Sequence, residues 1–140
     1  VRGIRLEAGQ RVISLLILGE GDVLTATENG YGKRTPVTEY PRRGRGGMGV
    51  ICIQTTERNG RIVGAVQAAE DDEVMLVSGS GTLVRTPVAE ISRMGRNTQG
   101  VKLISLDEAE QLVALERVEG LPEGEDDGPA ECAARGESNT

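Results

Sequence analysis

The sequence contains no histidine, no tryptophan and no phenylalanine, and its only aromatic residues are Tyr31 and Tyr40. Histidine is the most common general base near neutral pH, and the serine, cysteine and carboxylate positions show no triad-like grouping. These absences argue against a hydrolytic or nucleophilic active site in this chain. The scarcity of aromatic rings also argues against a stacking platform for single-stranded nucleic acid.

Cysteines and long apolar runs are scarce as well. Cys52 and Cys132 lie far apart, so they form neither the paired spacing of a zinc site nor a disulfide framework. Cys52 lies in the apolar stretch VICIQ, where we expect it to be a small buried hydrophobe. No stretch approaches the roughly 18 apolar residues of a membrane span, and the start shows no signal-peptide pattern. The expected compartment is therefore a reducing cytoplasm.

Acidic residues outnumber basic ones, but the excess lies at one end of the chain. The net charge is −6, with 22 acidic and 16 basic residues. Residues 119–140 contain seven acidic residues and one arginine, a net charge of −6, which leaves 15 of each sign in the body. Because charge is judged by segment, the acidic total does not argue against an anionic partner for the body.

The stretch from Lys33 to Gly49 occurs twice, since residues 84–100 repeat much of it at a constant offset of 51. An arginine-threonine-proline motif, several glycines and a glutamate recur at this offset: Gly30 and Gly81, Arg34 and Arg85, Thr35 and Thr86, Pro36 and Pro87, Glu39 and Glu90, Gly44 and Gly95, Arg45 and Arg96, Gly49 and Gly100. Self-similarity with a period near fifty residues is typical of propeller blades and related arrays.

Each repeat predicts four short strands. A strand follows each of the equivalent glycines Gly3, Gly49 and Gly100. A second apolar run lies at 12–18, 62–67 and 112–115, and a third strand lies at 23–27 and 74–78. Tight turns at Asn29-Gly30 and Ser80-Gly81 lead to a fourth strand at 31–35 and 82–86, because glycine adopts positive φ without steric cost. Residues 1–118 are therefore predicted to form an incomplete all-β array of four-stranded blades, beginning within a repeat, and the acidic residues 119–140 a disordered tail.

The glycines and arginines between the repeats are the candidate site. The loop at 44–49 satisfies G-x-G-x-x-G, but a β-branched stretch follows it where a dinucleotide site requires a helix. Glycines let backbone N–H groups converge on an anion, and arginine pairs two phosphate oxygens. A basic loop that recurs on each blade predicts a stripe that contacts a long polyanion. The predicted DNA-binding residues are Lys33, Arg34, Arg42, Arg43, Arg45, Arg85, Arg93, Arg96 and Lys102.

Base-specific reading is not expected, since the chain offers no recognition helix and few Asn or Gln residues. The alternative interpretation of one such loop, without a binding role, is a solvated turn whose arginines pair with Glu39 and Glu90. Recurrence at a fixed offset favours binding of the duplex backbone.

Three strings carry a family resemblance: TENGYGKRTPVTEYP from 27, TERNGRIVGAVQ from 56 and GTLVRTPVAEISRMGRNTQGVKLI from 81. With the acidic tail, they resemble the C-terminal DNA-wrapping domain of the DNA gyrase A subunit. The resemblance covers residues 1 to about 118 and implies a β-pinwheel, a propeller relative with six four-stranded blades. This chain would form the final blades of that pinwheel. RRGRGGMG at 42–49 resembles a degenerate copy of that family's Gln-Arg-Arg-Gly-Gly-Lys-Gly loop, with Arg45 inserted and Met48 at the lysine position.

The resemblance also implies a function. The chain would bend and wrap duplex DNA as part of an ATP-dependent type II topoisomerase that introduces negative supercoils in the cytoplasm, at the nucleoid. The catalytic tyrosine would lie elsewhere in the same polypeptide, so neither Tyr31 nor Tyr40 is that residue. ATP and Mg²⁺ would be bound through the B-type partner in a heterotetramer of two A and two B subunits, with no cofactor in this chain.

Two alternatives remain open at this point. A topoisomerase IV C-terminal domain would share the blades and wrap less DNA. A propeller that binds proteins would bind its partner without strong dependence on salt.

Overall fold

The computed structural model describes residues 1–119, and these residues form an all-β fold, as predicted. The strands are β1 (Asp22–Thr27), β2 (Tyr31–Pro36), β3 (Ile62–Ala68), β4 (Glu73–Ser78), β5 (Leu83–Pro87), β6 (Val101–Lys102) and β7 (Leu112–Val118). A single turn of 3₁₀ helix follows β2 (Val37–Glu39) and another follows β5 (Val88–Glu90). Neither turn comes near the length or the apolar content needed to cross a membrane, and the rest of residues 1–119 adds no such helix. The predicted tail, apart from Glu119, lies outside the described residues.

The two predicted hairpins are confirmed, and their registers repeat. In β1–β2 Asp22 lies opposite Pro36, and in β4–β5 Glu73 lies opposite Pro87, at the offset of 51. Gly30 turns the first hairpin with φ +85°, and a Cβ at this position would lie 2.6 Å from the carbonyl oxygen of Ile104. The turn therefore requires glycine both for its backbone conformation and for the close approach of a later segment.

The sheets differ from the prediction in which strands they contain. One sheet has the order β3-β1-β2-β6 and the other β5-β4-β7, all antiparallel. A sheet is therefore not four consecutive strands. It is a hairpin to which the following repeat adds β3 or β7, and the first sheet also takes β6 from the repeat after that. A bulge recurs where the added strand pairs, at Ala26/Thr27 and at Val77/Ser78.

This exchange of strands explains why two sets of predicted strands are wrong. The segment 12–18 is irregular and largely exposed, as are residues 1–6 apart from a single bridge at Ile4, and 50–53 are also irregular. Their equivalents β3 and β6 each pair with a hairpin of an earlier repeat. By the same pattern, these irregular segments would pair with a hairpin one repeat before β1 and β2. That position lies ahead of Val1, so this chain provides no strand for them to pair with.

The apolar core lies between the two sheets. Leu24 and Ala26 of the first sheet pack with Leu76 of the second, and β7 closes the core with Leu112 and Leu115. Side chains alternate along a strand, so Lys33, which lies opposite Thr25, belongs to the other face of the first sheet. That second face is buried too, and every residue of β1 is buried.

Candidate nucleic-acid interface

The first basic loop, residues 42–49, presents its arginines to solvent. Arg42, Arg43 and Arg45 are all exposed, and none of them forms an ion pair with another of the described residues. Glycines alternate with these arginines, and Gly46 adopts φ +78°. The loop therefore holds three uncompensated guanidinium groups at the surface.

The start of the chain adds two arginines that the sequence prediction missed. The Gly46 N–H donates to the Gly3 carbonyl at 2.9 Å, and the Arg5 N–H donates to the Gly47 carbonyl at 2.8 Å. These bonds bring the exposed Arg2 and Arg5 beside the first basic loop, and neither forms an ion pair within residues 1–119. The repeat contained the signal, because it makes Arg5 equivalent to Lys102, one of the predicted DNA-binding residues.

We call these five side chains the arginine cluster: Arg2, Arg5, Arg42, Arg43 and Arg45. A recess of about 180 Å³ opens beside it, lined by Arg43, by Ile4 and Met48 and by the backbone of four glycines. Glycine backbone and guanidinium groups are the donors that bind phosphate oxygens. The cluster can therefore accept a polyanion.

The second basic loop, residues 93–100, is held much more tightly. Arg93 forms an ion pair with Asp22 at 3.2 Å. Arg96 donates to the carbonyl oxygens of Glu39 at 2.6 Å and of Ile51 at 2.9 Å. Arg93 and Arg96 thus each have partners within the fold already, while Lys102 on β6 is exposed and has no ion pair within residues 1–119.

The prediction that Arg34 contacts DNA is wrong in this structure, because the side chain is 8% exposed. Its guanidinium donates to the Ile91 carbonyl at 2.7 Å and pairs with Asp22 at 3.5 Å and Glu70 at 3.4 Å. The equivalent Arg85 is exposed but pairs in the same way with Glu73, the equivalent of Asp22. The arginine of the repeated motif therefore ties the two strands of its own hairpin together.

The prediction for Lys33 is wrong for the same reason, since this side chain is fully buried. Its ammonium lies within hydrogen-bond distance of the carbonyls of Gly95 (2.6 Å), Arg96 (2.6 Å) and Thr98 (3.3 Å) and of the Thr98 hydroxyl (2.9 Å). Three protons on four acceptors leave no donor for a phosphate. Lys33 instead supports the second basic loop from beneath.

Burial shifts the titration of the groups around this ammonium. It lowers the pKa of Lys33 below its ordinary value, an effect that nearby Cys52 opposes and Arg96 adds to. Burial also raises the pKa of the Cys52 thiol, despite the opposing Lys33 charge. The same cause raises the pKa of Tyr40 to about 12. The thiol thus stays protonated at neutral pH, as expected for a structural cysteine.

A larger cavity lies elsewhere and has the wrong charge for this role. It measures about 500 Å³, adjoins the turn between β4 and β5, and is lined in part by Asp107 and Glu110. Hydrogen bonds from Ser78 and Ser80 lower the pKa of Glu110, so the carboxylate is charged at neutral pH. Carboxylates repel a polyanion, and the arginine cluster is accordingly the better candidate interface.

Comparisons with known proteins agree with this geometry. Residues 21–69 and 72–119 match the protein family described as "DNA gyrase C-terminal domain, beta-propeller". The DNA gyrase A subunit of Pseudomonas aeruginosa (strain PAO1) is 57% identical over 135 residues, which cover 90% of this chain and 15% of that protein. Its counterpart from Escherichia coli (strain K12) is 58% identical, over 84% of this chain and 14% of that protein. The chain thus spans about 15% of the length of these curated relatives.

Solved structures show the same fold. A DNA gyrase A C-terminal domain aligns with a TM-score of 0.66 at 31% identity, over 69% of this chain and 33% of that one. A DNA topoisomerase IV C-terminal domain aligns with all of this chain and 43% of its own, with a TM-score of 0.77 at 24% identity, a likeness of fold alone. Together with the two antiparallel sheets, these matches confirm the predicted propeller-like β-pinwheel class.

Proposed function

The chain belongs to the DNA gyrase C-terminal domain family, and from this premise we propose that it binds and bends duplex DNA without reading its sequence. The single observation that carries the proposal is the arginine cluster, five exposed guanidinium groups with no ion pair within residues 1–119. Contacts from such groups to phosphates position a duplex and carry no base information.

The energy of bending fits contacts of this kind. Bending a site of 20–30 base pairs costs on the order of 1–6 kcal/mol. Each neutralised phosphate releases condensed counterions, and several contacts along a curved surface offset the cost of the bend, as in the nucleosome. Lys102 lies on β6 at the edge of the first sheet, and we propose that it extends the contact surface beyond the cluster. Arg85, Arg93 and Arg96 contribute mainly through the positive potential of their loops, since each already has a partner.

At the level of the whole enzyme, we propose that the chain supplies geometry to a gyrase. The bend would set the handedness of the DNA crossing. DNA cleavage would belong to the rest of the A-type polypeptide, while ATP and Mg²⁺ would be bound through its B-type partner. Such an assembly of two A and two B subunits would act at the nucleoid in the cytoplasm. We further propose that residues 1–118 form the folded blades and that residues 119–140 form an acidic tail that competes with DNA for the arginine cluster.

The experiment that tests DNA binding is a salt series with a short and a long duplex. Log K should fall steeply with log salt, by about 0.9 per phosphate neutralised, and the longer duplex should bind more tightly because only it can follow the curved surface. Equal affinities for two unrelated sequences would establish that bases are not read. A response that is flat with salt would contradict the proposal and favour a protein partner.

A further inference from the structure

The buried ammonium of Lys33 has an unusual set of partners. Within residues 1–119 it contacts only neutral acceptors, all of them in the second basic loop, and it forms no ion pair. Buried charges are ordinarily paired with an opposite charge or a metal. The positive charge of Lys33 is therefore stabilised by peptide dipoles alone, and its field passes through the loop toward solvent.

The orientation of these peptide groups determines what the loop presents to solvent. In a trans peptide the C=O of one residue and the N–H of the next point in opposite directions, and residues 1–119 contain no cis peptide. The carbonyls of Gly95, Arg96 and Thr98 point at the ammonium. Consequently the N–H groups of Arg96, Asn97 and Gln99 point away from it.

These three N–H groups donate no hydrogen bond to any other described residue. Asn97 and Gln99 are exposed, and the Asn97 side chain is fixed by Gln54, whose amide donates to its carbonyl oxygen. Neighbouring N–H groups that point the same way form an anion-binding concavity. Here a buried positive charge lies on the carbonyl side of the same peptides and strengthens their attraction for an anion.

We propose that the outer side of residues 96–99 is a binding site for one phosphate group, with Lys33 as its positioning residue. The site rests on the proposed function in that its natural ligand is a phosphate of the DNA backbone. Lys33 never touches the ligand. It holds the three carbonyls inward, which keeps the N–H groups outward, and it contributes its charge through the peptide dipoles.

The first basic loop lacks both parts of this arrangement. No ammonium among residues 1–119 hydrogen-bonds to its carbonyls, and the carbonyl of Gly47, the equivalent of Thr98, accepts from the Arg5 N–H at 2.8 Å instead. The equivalent of Asn97 is Gly46, whose N–H already donates to the Gly3 carbonyl at 2.9 Å. The two basic loops thus bind phosphate by different means, the first through arginine side chains and the second through main-chain N–H groups.

The test follows backbone amide resonances of the full 140-residue chain during titration with inorganic phosphate. The wild-type protein should show saturable shifts at the amides of Arg96, Asn97 and Gln99. Lys33→Met keeps the length of the side chain and removes its charge, and it should abolish these shifts. Arg58→Ala is the matched control, since it also removes one positive charge close to the loop, where the neighbouring Asn59 donates to the Gln99 carbonyl at 3.1 Å, and it should preserve them.

Two results would overturn the inference. One is the absence of amide shifts in the wild-type protein, which needs no variant and does not depend on whether Lys33→Met folds. The other is a set of shifts that Lys33→Met and Arg58→Ala weaken equally, which would mean a general effect of charge. Duplex binding distinguishes the two proposals. If the wild-type protein binds duplex DNA with a steep salt dependence but its amides do not respond to phosphate, the site at 96–99 is refuted and the proposed function stands. If the wild-type protein does not bind duplex DNA at all, the proposed function is refuted.

Discussion

Replacing Arg42, Arg43 and Arg45 together by alanine tests the arginine cluster most directly. Each phosphate contact contributes about 0.9 to the slope of log K against log salt, so three contacts contribute up to about 2.7. Because this term vanishes near 1 M salt, the three side chains account for up to about 500-fold in affinity at about 0.1 M. The fold should be unaffected, since all three side chains are exposed and unpaired within residues 1–119.

The matched control replaces Arg11, Arg58 and Arg61 by alanine, which lowers the net charge by the same amount at exposed arginines that form no ion pair within residues 1–119. Arg61 precedes β3, the strand at the opposite edge of the first sheet from β6. Affinity for a labelled duplex is measured over a salt series by fluorescence anisotropy, and thermal unfolding checks each variant. The cluster variant should lose most of the slope and the control little of it. An equal loss in both variants would refute the argument, because it would mean that net charge and not position governs binding.

Four further outcomes are expected. Arg34→Met should lower the free energy of unfolding by about 3 kcal/mol, since it leaves a buried carboxylate with one fewer partner, whereas the exposed equivalent Arg85→Met should change it by less than about 1 kcal/mol, both measured by chemical denaturation. Gly30→Ala should cost about 1–3 kcal/mol through its positive φ and its contact with a carbonyl, and an unchanged midpoint would contradict the close approach described. Tyrosine absorbance should show a step at about pH 12 that Tyr40→Phe removes. Because the folded state retains this proton longer, stability should fall as pH rises from 10 to 12. Deleting residues 119–140 should tighten duplex binding at low salt, and unchanged affinity would show that the tail does not compete.

The sequence predicts the hairpins well because their signals are local. The turns at Asn29-Gly30 and Ser80-Gly81, the prolines that end β2 and β5 and the offset of 51 all lie within a few residues of the feature that they specify. The composition of the sheets is not local. β6 pairs with β2 about seventy residues upstream, and nothing in the spacing of glycines distinguishes this from pairing with the nearest hairpin.

The candidate site could be predicted only in part, for a related reason. Counting basic residues near glycines finds Arg42, Arg43 and Arg45, which are exposed, together with Lys33 and Arg34, which are buried. The two kinds differ in whether they lie on a loop or on a strand that is covered on both faces. That coverage comes from distant segments, so periodicity within one repeat does not reveal it.

The exchange of strands also determines how the basic loops are spaced, which matters for the proposed ligand, because duplex DNA is stiff. The second basic loop is fastened to the first hairpin at both ends, where Met94 donates to the Arg34 carbonyl at 2.8 Å and β6 pairs with β2, and Lys33 holds its middle. Each of these anchors lies in the first hairpin, about sixty to seventy residues earlier in the chain. The position of one loop relative to the preceding blade is therefore fixed by the sheet and does not depend on a linker. Because preorganised contacts lose less entropy on binding, a surface built in this way can devote more of its contact energy to bending the duplex.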